Sequence, residues 1–159
     1  MKEFTTDIFS LYDKKWGLLC AGTMAEHNAM TISWGGMGTL WGKPVVTVYV
    51  RPNRHTYGFM EDSEYFTVGF LKEEFRKAHG IMGSKSGRDM DKDKESGLTP
   101  QPAGDSVMYK EAEVTLLCRK IYCQDLDVNA FPEEVRDKYY GSEPAHRMYV
   151  GEVVDIIRG

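Results

Sequence analysis

Apolar residues in this chain come in short runs broken by glycine, proline and charge, and most runs have the length of strands. Trp16 to Thr23 (W-G-L-L-C-A-G-T) reads as a first strand with glycines at a bend. Glu26-His27-Asn28 is a polar turn, and Ala29 to Trp34 a second, short strand. Pro44 to Val50 is apolar on both faces, as suits a strand inside a closed barrel. Tyr65 to Leu71 follows as another strand. Glu111 to Arg119 alternates: Ala112, Val114, Leu116 and Cys118 face one way, Glu111, Glu113, Thr115 and Arg119 the other. Lys120 breaks the phase, which predicts a bulge. Arg147 to Ile157 is the last long strand.

Helical spacing is rarer. Residues 5 to 13 predict a short amphipathic turn or helix, and Arg54 to Asp62 a short helix with Thr56, Phe59 and Met60 on one side. Between Glu73 and Met82, Phe75, Ala78, His79 and Met82 fall at i, i+3, i+4, i+7, so His79 reads as a packed core residue. Pro132 to Tyr139 starts with proline and two glutamates, a helix beginning. Gly35 to Gly42 reads as a glycine-rich loop; it lacks the lysine-hydroxyl ending of a triphosphate loop and precedes a strand where a dinucleotide fingerprint needs a helix. Ser84 to Gly104 reads as a long polar loop, which favours a lid or binding role. Five or six strands with short helices between them suggest a mainly β, antiparallel barrel. The strand–helix alternation of a doubly wound sheet is not evident.

The length of 159 residues points to one domain over residues 1–159. A net charge of −4 without a lysine-arginine block argues against a nucleic-acid partner. No apolar run approaches a membrane span, and the first residues lack a signal core, so a cytoplasmic protein is the default expectation. Three cysteines leave one over in any disulfide scheme, and Cys118 and Cys123 lie five apart on one strand, on opposite faces. His27, His55, His79 and His146 show no paired spacing, so no metal site is expected.

The candidate chemistry lies at the end of the apolar strand, in Arg51-Pro-Asn-Arg54-His-Thr56. Arginine forks bind phosphate oxygens in pairs at any ordinary pH, and a helix starting near Arg54 adds free N–H groups and a positive dipole end. Alone, an Arg-x-x-Arg is weak, because surface arginines are usually solvated. It does not stand alone. N-x-M-T-x-S-W-G (Asn28 to Gly35), G-T-L-W-x-K-P (Gly38 to Pro44), Y-V-R-P-x-R-x-T (Tyr49 to Thr56), S-G-R-D-M-D-K (Ser86 to Lys92) and H-R-M-Y-V-G-E (His146 to Glu152) follow one another along the chain. In that order they resemble the flavin reductase-like family of FMN-binding split barrels.

The resemblance implies an antiparallel Greek-key split β-barrel that binds FMN. Asn28, Ala29, Met30, Thr31, Ile32 and Ser33 would run along the ring and ribityl chain, with Trp34 lining the ring pocket. Val50 would close the strand beside the cofactor, and Arg51, Arg54 and Thr56 would hold the phosphate. Ser86, Gly87, Asp89 and Lys92 match a second segment near the cofactor, where Arg88 and Lys92 add positive charge. His146 matches a histidine at the open face of the flavin, where it would position a nicotinamide; on the residues alone it is equally a strand-end histidine at a barrel mouth. The leading functional reading is an oxidoreductase that transfers a hydride from NADH or NADPH to flavin and passes electrons to free flavin or a partner. The alternative is a flavoredoxin-like carrier that exchanges electrons with a redox protein, and a third reading is a non-enzymatic flavin-storage or interaction module. The family also implies a homodimer with flavin near the interface, and 9 Tyr, 7 Phe and 3 Trp leave aromatics for one.

Overall fold

The computed structural model describes residues 2–159; Met1, the first residue of the expected domain, lies outside the described residues. The Asp7 carboxylate accepts from the Ser10 N–H at 3.3 Å and starts α1 (Ile8–Ser10), which runs on as a π-helical turn, Leu11–Lys15. Leu11 and Tyr12 are buried, so the short amphipathic element expected here is present. β1 (Gly17–Gly22) is buried throughout and forms a hairpin with β2 (His27–Ile32). The hairpin closes at Thr23–Glu26 (Thr23 N–H to Glu26 O, 2.7 Å), so β2 begins at His27, two residues earlier than its polarity suggests.

The glycine-rich stretch expected as a loop is instead an edge strand, β3 (Gly35–Leu40), paired with β4 (Lys43–Val50). Trp41 (φ 54°) and Gly42 (φ 69°) form the turn between them, both left-handed. Such paired residues match the twist of a two-residue hairpin, and an edge strand tolerates glycine better than a central one. α2 (His55–Asp62) and β5 (Tyr65–Leu71) follow as expected. The helix expected over Glu73 to Met82 is divided into a 3-10 turn (Glu73–Phe75) and α3 (Ala78–Ser84), although Ala78, His79 and Met82 are buried and Phe75 packs beside them. The expected long loop holds α4 (Lys92–Ser96) and β6 (Pro100–Ala103); β6 pairs with β7 (Ser106–Tyr109) as a separate ribbon. β8 (Ala112–Asp125), α5 (Glu133–Tyr140) and β9 (Arg147–Arg158) complete the chain. The predicted irregularity in β8 is present, with register shifts between Leu117 and Cys118 and between Lys120 and Tyr122.

Seven strands form one antiparallel sheet in the order β2-β1-β5-β8-β9-β4-β3. Its pairs β1–β5 and β4–β9 interleave the hairpins, the Greek-key habit. Laid flat, six strand spacings would put the edges about 29 Å apart. Yet β2 and β3 are the two edges, and only Ser33 and Trp34 join them. Three chain steps span at most about 11 Å. The sheet must therefore curl until its edges nearly meet, leaving a barrel split between β2 and β3. Val46, Val48, Phe66, Val68, Leu116 and Tyr149 fill the interior, with Tyr12 and Leu11 packed against them. No helix among the described residues is long and apolar enough to cross a membrane.

Candidate functional site

The curl leaves the outer edge of β2 without a strand partner, and short helices gather along it. Arg51 to Arg54 is a turn with Pro52 at its second position, closed by Arg54 N–H to Arg51 O at 3.0 Å. Arg54 is the N-cap residue of α2, whose first turn has no side-chain cap. A cavity of about 200 Å³ opens there, lined by Asn28 of β2, Asn53 to Thr56, the end of α3 from Gly83, the turn Lys85 to Arg88, and Lys92.

Several groups in this cavity are placed to donate. Asn28 Nδ2 donates to Thr56 Oγ1 at 2.7 Å, which leaves the Thr56 hydrogen free to point elsewhere. Ser86 Oγ accepts from the Arg88 N–H at 3.1 Å, which likewise leaves its hydrogen free. Lys92 is buried and donates to Ala29 O (2.6 Å) and Met82 O (2.8 Å), fixing its ammonium between β2 and α3 with one donor left. Burial, then Arg54, pulls the Lys92 pKa down to about 8. Burial alone lowers that of Arg54, with no acceptor or carboxylate offsetting it. His55 is lowered by burial and by Arg88 and Lys92. No acidic side chain lines the cavity among the described residues. Gly87 completes the cradle, since a Cβ there would overlap Asn28 Oδ1 and come within 2.8 Å of His55 Cδ2. Cations with no carboxylate in the lining, free hydroxyl hydrogens and a helix start together suit a phosphate.

The structure thus brings together Asn28, Arg54, Thr56, Ser86, Gly87 and Lys92 from the expected set. Ala29, Met30 and Ile32 are buried, so β2 offers their backbone and not their side chains; Val50 is likewise buried at the end of β4. Ser33 and Trp34 line a second, larger cleft of about 1070 Å³ at the split, with Thr6 to Ser10, Tyr12 to Lys14, Gly35 to Met37 and Tyr49. Asp89 is exposed on the turn beyond the cavity lining. Arg51 is not in the cavity: its guanidinium donates to Tyr139 O (3.0 Å) and Pro144 O (2.7 Å) and lies 4.9 Å from the Tyr140 ring centroid. His146 is buried where an open-face position was expected. Its Nδ1 is 2.8 Å from the Tyr140 hydroxyl, Trp34 packs on it at 5.5 Å, and burial with Arg51 pulls its pKa down to about 4. The sequence reading missed Asn53, His55 and Gly83 to Lys85; the unbroken polar run G-S-K-S-G is the signal that points to the last three.

Fold and site together define an antiparallel split barrel with a cation-lined, phosphate-sized cavity at one edge strand. The family described as the flavin reductase like domain matches residues 12–158, and the chain belongs to it. No curated protein matches the sequence. Flavoredoxin from Methanosarcina acetivorans superposes with a TM-score of 0.73 over 100% of this chain and 76% of its own, at 19% identity. An FMN-binding protein from Thermus thermophilus, solved with bound 1-cyclohex-2-enone, gives 0.72 over 99% and 80%, at 16% identity. A split barrel domain protein from Shewanella frigidimarina gives 0.72 over 92% and 67%, at 17% identity. At such identities these likenesses establish the fold.

Proposed function

We propose that this chain binds FMN and works as an oxidoreductase, taking a hydride from NADH or NADPH and passing electrons to free flavin or a partner. The observation that carries the reading is the cavity of Arg54, Thr56, Ser86, Gly87 and Lys92, which is lined by cations and, among the described residues, by no carboxylate. The FMN-binding neighbour and the family support the same cofactor. Arg54 and Lys92 hold the phosphate, Thr56 and Ser86 donate to its oxygens, and Gly87 leaves it room. β2 carries the rest of the ligand toward Ser33 and Trp34 at the split. Bound FMN supplies the hydride-accepting ring; the chain supplies placement and electrostatics. Trp34, 46% exposed and stacked edge-on against Tyr139 and His146, forms a wall of the ring site. His146 then acts at one remove, by holding Trp34 and Tyr140 in position. The same reading pairs two chains so that a second copy covers the exposed face of Trp34.

The likeness to flavoredoxin favours a second reading, a carrier that exchanges electrons with a protein and not with a nicotinamide. One experiment separates them: an anaerobic visible spectrum of the protein reconstituted with FMN, before and after NADH and then NADPH. The oxidised band on the protein, bleached quickly by one nucleotide, is the expected result and identifies the donor. Bleaching by dithionite alone supports the carrier. No flavin bound at all overturns the cofactor assignment.

A further inference from the structure

Thr31 lies on β2 between the cavity at Asn28 and the cleft at Ser33, with Gly83 of α3 packed against its Cβ. His79, one turn earlier in α3, reaches it twice. Thr31 Oγ1 is 2.8 Å from His79 Nδ1 and 3.2 Å from His79 O. The ring is buried, its Nε2 has no partner among the described residues, and Trp16 packs edge-on against it at 5.9 Å. Burial and Arg76 pull the His79 pKa down to about 4, so the imidazole is neutral at neutral pH and carries one hydrogen. Either nitrogen can carry it. With the hydrogen on Nδ1, that N–H donates to Oγ1, and the Thr31 hydrogen goes to the His79 carbonyl. With the hydrogen on Nε2, Nδ1 accepts the Thr31 hydrogen. Both tautomers direct the single hydrogen of Thr31 inward. What Oγ1 offers outward is a lone pair only.

We propose that His79 is a positioning residue that fixes Thr31 as a hydrogen-bond acceptor for the imide N–H of a bound flavin ring. The inference rests on the FMN reading above. An oxidised flavin ring has one N–H, at the imide between its two carbonyls; its two unsubstituted nitrogens and both oxygens accept. An acceptor-only Thr31 therefore selects the imide edge and sets which way the ring is turned. The ribityl hydroxyls are the other donors of the same ligand, and the test separates the two.

The full-length apoprotein is titrated with FMN and with 3-methyl-FMN, in which a methyl replaces the imide hydrogen, by flavin fluorescence quenching. Wild type should prefer FMN. Thr31→Val should weaken FMN roughly three- to tenfold, the range of one neutral hydrogen bond, and leave 3-methyl-FMN unchanged or improved, so the preference collapses. His79→Leu should lose part of the preference, and His79→Asn, whose amide can replace Nδ1, should restore it. Loss of a packing role alone would weaken both flavins equally and keep their ratio. So would loss of a bond to a ribityl hydroxyl, and either result overturns the proposal. If wild type binds neither flavin, the FMN reading itself fails; if it binds both and the Thr31→Val ratio does not move, only the role of Thr31 and His79 fails.

Discussion

Arg51 and Arg54 stand three residues apart, and the turn between them sends their guanidinium groups to different tasks. Arg54 has no partner in the cavity among the described residues, while Arg51 is engaged by carbonyls at and after the end of α5. Arg54→Ala should therefore weaken FMN by roughly 1.5–3 kcal/mol, the range for hydrogen bonds to charged groups, and barely change riboflavin, which lacks the phosphate. Parallel titrations of the two flavins check this. Arg51→Ala should loosen α5, read as lost amide protection over Glu133–Tyr140, and through Tyr139 and Trp34 weaken FMN and riboflavin alike, without the phosphate-dependent difference. Gly87→Ala should weaken FMN without unfolding the chain, because its methyl would fill the cradle beside Asn28. The residue types of this site were legible in the sequence: two arginines, a threonine and a serine-glycine pair. Which arginine lines the cavity was not, since that depends on a turn whose direction Pro52 and the α2 start decide together. The burial of His146 was hidden for a related reason, because Tyr140 and Trp34 cover it from two other segments.

β5 and the first half of β8 lie where the hydrophobic pattern puts them, because burial against one core decides their face. β8 then runs on past Arg119 to Asp125, largely exposed there and held by its ladder to β9, which no apolar period announces. β3 and α4 escaped the pattern. β3 is an edge strand held by its ladder to β4, with little apolar face to read, and α4 is five residues tied down by side chains. Those ties form a latch. His27 Nε2 lies 2.6 Å from Asp93 Oδ2 and Nδ1 lies 2.9 Å from Thr23 O; both neighbours accept, so only the imidazolium satisfies both. Tyr109 donates to Asp93 Oδ1 at 2.6 Å, and Asp91 adds a further negative charge near His27. The His27 pKa is raised, first by Asp93; for Asp93 burial is the largest single effect and pushes upward, but its bonds to His27 and Tyr109 together outweigh it and the pKa is lowered. A raised base stabilises fully below its unfolded value, about 6.5, and loses that contribution as pH climbs through the folded value; a lowered acid stabilises above about 3.9. The latch should hold best between those limits and weaken above them. Lys92 runs the other way: its pKa, down at about 8, means that folding disfavours its charge, a cost relieved as pH rises beyond that point. Hydrogen-exchange protection factors over Lys92–Ser96 should fall from pH 6 to pH 8, and His27→Gln should abolish that slope. A slope unchanged in the variant would rule out the latch.

For the molecule as a whole, the split barrel places its binding edge far from the strand that holds the sheet together. β9 pairs with both β8 and β4 at the middle of the sheet, while β2, α2, α3 and α4 gather at one edge. Gly151 of β9 belongs to the H-R-M-Y-V-G-E stretch that helps mark the family, yet it touches no part of the cavity. A Cβ there would lie 2.5 Å from Phe66 Cζ and 2.8 Å from Cys118 Cβ, inside the packed interior. Gly151→Ala is thus an overpacking change, expected to cost about 1–3 kcal/mol of folding free energy. It should lower the midpoint of urea unfolding without altering the slope, since the surface exposed on unfolding is the same. FMN affinity measured well below that midpoint should stay at the wild-type value. Arg54→Ala should show the reverse, with an unchanged midpoint in the absence of flavin and weakened binding. If Gly151→Ala instead lost FMN while keeping its midpoint, the edge and the centre of the barrel would be coupled, and the site could not be treated as a unit assembled on a rigid sheet.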